Sequence, residues 1–145
     1  MRLPILFVSA ALLPALSVGA SWVSMGNGED AEVFYAADGM QHFNGIATAW
    51  MRESFFQPQT AKKQGYQFDQ VKVRRLFDCA EGTAGVMQAA MLSHGEQVDM
   101  LAFPYDLAKQ TLQPVPANSF VQQVMNMACA RPEAPFVRNG GPSGD

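Results

Sequence analysis

The 145-residue chain carries 10 lysines and arginines against 13 aspartates and glutamates, a formal charge of −3 at pH 7. That mild acidity argues against nucleic acid or an anionic membrane surface as the main partner. With 48% hydrophobic and only 16% charged residues the chain is composed to fold, and its length suits one small domain.

Met1-Arg2 is a short positive start, and Leu3 to Leu16 is an apolar run interrupted only by Pro4, Ser9 and Pro14. Ser17-Val18-Gly19-Ala20 then offers small residues, with Val18 and Ala20 at the two positions that signal peptidase reads. Residues 1–20 are therefore expected to be a signal peptide, and the protein to be exported, to the periplasm or the cell surface. Loss of Arg2 with the leader would take the formal charge to −4. The apolar run is shorter than the ~20 residues of a membrane span, and no second one follows. No cysteine follows it either, which argues against a lipid anchor.

Trp22-Val23-Ser24-Met25 reads as a first short strand ended by Gly26-Asn27-Gly28, and Ala31 to Ala36 as a second. Asp38-Gly39 bends the chain, and Asn44-Gly45 is a two-residue hairpin signal. Ile46 to Phe56 follows as a longer strand carrying Trp50, with Pro58 beyond it. After a polar connection from Gln57 to Gly65 comes the strand around which the sheet is organised, about Tyr66 to Cys79. Within it Val71, Val73, Phe77 and Cys79 share one face while Lys72, Arg74 and Asp78 share the other. Glu81-Gly82 turns the chain into Thr83 to Ser93. His94-Gly95 then turns it into Val98 to Phe103, a second hairpin.

The clearest helix follows Pro114 and Pro116. Ser119-Phe120-Val121-Gln122 fits a capping box, with Ser119 as N-cap. Phe120, Val121, Val124, Met125, Ala128 and Cys129 form an apolar stripe at helical spacing, Arg131 favours the C-terminal end, and Pro132 stops the helix. Residues 132–145 cannot bury a face and are expected to be a disordered tail. Two cysteines in an exported chain most simply form one disulfide, Cys79 to Cys129, which would stabilise the fold by about 4 kcal/mol. The alternatives are a reactive thiol pair or half a metal site. Neither has support: there is no Cys-x-x-Cys, and His42 and His94 lie far from both cysteines in sequence.

Catalysis has little to draw on. His42 and His94, the only neutral-pH bases, stand beside turns and read as solvent-exposed. Asp69, Asp78 and Glu81 could approach one another but sit at strand ends, where carboxylates usually serve turns. No catalytic residue, metal ligand or cofactor is expected. A binding ridge is a better candidate: Lys62, Lys63, Lys72, Arg74 and Arg75 form a basic set on an acidic protein, suited to an acidic partner surface. Nine methionines and the aromatic residues Trp50, Phe55, Phe56 and Tyr66 mainly fill a core. Phe55 and Phe56, adjacent on a strand, must face opposite ways, so one of them is a candidate surface for a ligand or a homodimer.

The order of these features resembles the surface-adhesin protein E family. The matching positions are Trp22, Trp50, Asp78-Cys79, Gly95, Pro116 with Ser119, and Cys129, across roughly Trp22 to Ala130. The chain departs from that pattern at Pro116-Ala117-Asn118-Ser119, where a Pro-Gly-Ser turn is usual. The resemblance implies an antiparallel sheet packed on a helix, a disulfide, and binding rather than catalysis. The founding type attaches to host proteins at the bacterial surface. The expectation is thus an α+β fold over residues 21–131, an antiparallel sheet of about six strands with a C-terminal helix on one face. Its expected role is a non-enzymatic protein-binding module of the cell envelope. A periplasmic inhibitor or stress-response protein acting through one sheet face is the second reading, and a small-molecule carrier the third.

Overall fold

The computed structural model describes residues 21–134; the expected signal peptide at 1–20 and residues 135–145 of the expected tail lie outside it. Eight strands and two helices follow one another in the order β1 (Trp22–Asn27), β2 (Ala31–Ala36), β3 (Gln41–Phe43), β4 (Ile46–Thr60), β5 (Gln67–Asp78), β6 (Thr83–Ser93), β7 (Glu96–Ala102), α1 (Tyr105–Gln110), β8 (Gln113–Pro114) and α2 (Phe120–Cys129). All strand pairs are antiparallel, in the spatial order β1-β2-β4-β5-β6-β7. The strands number eight rather than about six, because two short ones complete the edges. β3 pairs with the start of β4, and β8 with the start of β6.

Both expected hairpins form. Asn44 and Gly45 have φ of 51° and 75°, and His94 and Gly95 have φ of 50° and 82°. Positive φ at both central residues gives the turn a twist that matches the strands it joins. β4 runs on to Thr60, past the stop expected at Pro58. Its register against β5 breaks between Ser54 and Gln59, so the proline's missing N–H falls outside the regular ladder.

α2 begins as expected, with the Ser119 hydroxyl accepting from the Gln122 amide at 3.1 Å. In return the Asn118 amide, rather than that of Ser119, donates to Gln122 Oε1 at 2.8 Å. Val124 and Ala128 of its stripe are fully buried against Val33, Ala47, Ala49, Met51 and Phe77, with Phe120, Val121, Met125 and Cys129 packed around them. The alanines on β4 are the reason the helix can lie close: a small side chain under each turn leaves room for the knobs of α2. Burial of Phe77 and Val124 contributes roughly 1.5–3 kcal/mol each. The Cys79–Cys129 disulfide, 5.8 Å between Cα atoms, then ties the end of β5 to the last residue of α2.

The other face of the sheet meets α1 only at its β6 end. There Ala108 is 1% and Leu76 0% exposed. Gly85 permits the contact, since a Cβ at that position would stand 2.9 Å from the Ala108 carbonyl oxygen. Pro104 precedes α1 with φ −54°, Asp106 lies in its first turn and Lys109 in its last, all placements that favour a helix.

Candidate functional site

On the sheet face opposite α2, the register sets Arg52 of β4 directly across from Lys72 of β5, and Trp50 across from Arg74. Phe34 lies across from Arg52 on its other side. The Arg52 guanidinium stands 4.2 Å from the centre of the Phe34 ring and 4.9 Å from that of Trp22, and Lys72 Nζ 5.9 Å from Trp22. Like charges directly opposite on a sheet repel. The ring faces offset this, each cation–π contact contributing on the order of 0.5–1 kcal/mol. Burial between the rings lowers the Arg52 pKa from its ordinary value, and the nearby Glu32 carboxylate works the other way. Glu32 is itself held by the Ser24 hydroxyl at 2.8 Å.

The basic set read from the sequence is therefore divided. Lys72 and Arg74 share this face, as alternation requires. Arg75 pairs with Ala49 of the core on the opposite face, a correction to its place in the ridge that follows from the same period of two. Lys62 and Lys63 occupy the exposed turn between β4 and β5, well along the strands from Lys72. Arg52, Trp22 and Phe34 take their place. Alternation along β4 does put Arg52 beside Trp50, but its stacking on Phe34 and Trp22 needs the register of three strands.

Phe55 packs edge-on against Phe68, 5.9 Å between ring centres, whereas Phe56 is 51% exposed. His94 is exposed at its turn, and its amide donates to Asp69 at 3.4 Å. Asp69 and Asp78 are at opposite ends of β5 and do not meet. Asp78 instead accepts from the amides of Ala80 and Glu81, both at 3.1 Å, closing the turn after the strand. His42 departs from its expected exposure: its side chain is only 13% exposed, against residues beyond α2. Residues 133 and 134, at the start of the expected tail, bond to the β3–β4 hairpin. The Gly45 amide donates to Glu133, and Ala134 donates to the His42 carbonyl.

A strip of cations half-buried among aromatic rings is suited to recognition, since it combines charge steering with rigid apolar area. Among the described residues no group of three or more His, Cys, Asp or Glu could hold a metal ion. No described helix is long and apolar enough to cross a membrane. Compared with known families, residues 22–130 match the family described as Surface-adhesin protein E. Comparison with curated proteins and with solved structures found no match.

Proposed function

This chain belongs to the Surface-adhesin protein E family, and from that premise we propose that it is an exported, non-enzymatic module that binds another protein through the sheet face opposite α2. The observation that carries this reading is the strip formed by Arg52, Lys72 and Arg74 with Trp22 and Phe34. Opposed cations on an otherwise acidic chain concentrate positive potential on the face away from α2, which favours an acidic surface on an envelope or extracellular-matrix protein.

The test has two parts. Protease treatment of intact cells should remove the protein if it acts at the surface; protection until the outer membrane is opened would favour the inhibitor reading in the periplasm. The purified protein is then run over immobilised matrix and envelope proteins, alongside the Lys72→Glu/Arg74→Glu variant. A partner bound by the parent and lost at least tenfold by the variant supports the face; equal affinity for every partner bound rules it out.

A further inference from the structure

Arg75, excluded from the strip by its position, lines a second feature. Where α1 crosses the outer edge of β6, the chain lines an open cleft of about 560 Å³, within the range of small-molecule sites. Ala84 and Val86 of β6 form one wall, and Phe103 and Leu107, flanking and within α1, form the other. Phe103 and Leu107 remain 39% and 44% exposed, apolar surface that water covers poorly.

Arg75 is the one charged side chain lining this cleft. Its Nε is buried without a hydrogen-bond partner. Burial lowers its pKa, while the Glu53 carboxylate acts in the opposite sense from a distance. No carboxylate among the described residues lies within ion-pairing range of it. A buried guanidinium Nε with no acceptor is costly, and the group that best relieves it is a planar two-oxygen anion taken in bidentate fashion. The apolar walls of Ala84, Val86, Phe103 and Leu107 suit an apolar body beside that anion.

We propose that this cleft binds a small amphipathic organic anion, a single carboxylate on an aliphatic chain, with Arg75 as the anchor and Val86, Phe103 and Leu107 as the apolar walls. The site lies apart from the Lys72–Arg74 strip, so the two can fail separately.

The test is calorimetric titration of the whole protein with octanoate and with 1-octanol, which has the same chain and no charge. Octanoate is expected to saturate a single site and to bind at least tenfold more tightly than octanol. Arg75→Met should remove that tenfold advantage and leave octanol binding alone, and Lys72→Glu/Arg74→Glu should change neither. No binding of octanoate, equal binding of the two compounds, or an unchanged preference in Arg75→Met would overturn the proposal. Should Arg75→Met fail to fold, amide shifts of the parent protein decide. Shifts at Val86, Leu107 and Thr111 on adding octanoate support the cleft; shifts confined to other regions sink it.

Discussion

His42 Nδ1 donates to the carbonyl oxygen of Arg131 at 2.7 Å, joining positions 89 apart in sequence. A carbonyl only accepts, so this ring nitrogen carries the proton. The same residue's backbone carbonyl accepts from Ala134, and its Nε2 lies 3.5 Å from Glu133. Together these bonds lay the chain beyond α2 along the β3–β4 hairpin. Replacing His42 by alanine should cost about 1–2 kcal/mol and speed hydrogen exchange at the Gly45 and Ala134 amides. Unchanged exchange at both would show that the histidine does not hold this segment.

The disulfide acts at the same C-terminal end of α2, through Cys129. Cys79→Ser/Cys129→Ser should lower unfolding free energy by about 4 kcal/mol, the loop entropy released to the unfolded chain. Denaturant titration of the parent with and without reductant provides the comparison. A midpoint insensitive to both would mean that packing of Val124 and Ala128 alone seats the helix.

Two glycines should respond to alanine for different reasons. Gly45 has φ 75° and nothing within 4 Å of a built Cβ, so Gly45→Ala meets only backbone strain, about 1 kcal/mol. At Gly85 the added Cβ meets the Ala108 carbonyl at 2.9 Å. Gly85→Ala should therefore displace α1 and cost roughly 1–3 kcal/mol. Exchange measurements should show α1 amides exposed in the second variant and protected in the first.

The Tyr66 hydroxyl donates to Asp99 at 2.7 Å. That hydrogen bond first, then burial and the carboxylate charge, raises the phenol pKa above its ordinary value. Because the folded value is the higher one, the stabilisation is complete below the unfolded pKa and is lost as pH rises through the folded pKa. Phenolate absorbance should show one tyrosine titrating late, absent in Tyr66→Phe and shifted to lower pH in Asp99→Asn. An unmoved titration in Asp99→Asn would contradict the assignment.

Much of the architecture was legible because its signals are local. Asn44-Gly45 and His94-Gly95 supply the φ values of their turns within two residues, and Ser119 caps α2 three residues from its partner. Alternation along β5 already separates Arg74 from Arg75. The compartment suggested by the leader was enough to pair Cys79 with Cys129. β3 and β8, at three and two residues, are too short for any alternation to register, and α1 completes fewer than two turns, so no helical period marks it. The strip of Arg52, Trp22 and Phe34, the burial of His42 and the cleft at Arg75 were decided only in the tertiary structure. Each depends on which strand lies beside which and in what register, and that is set by the summed packing of the whole sheet under α2 rather than by the residues themselves.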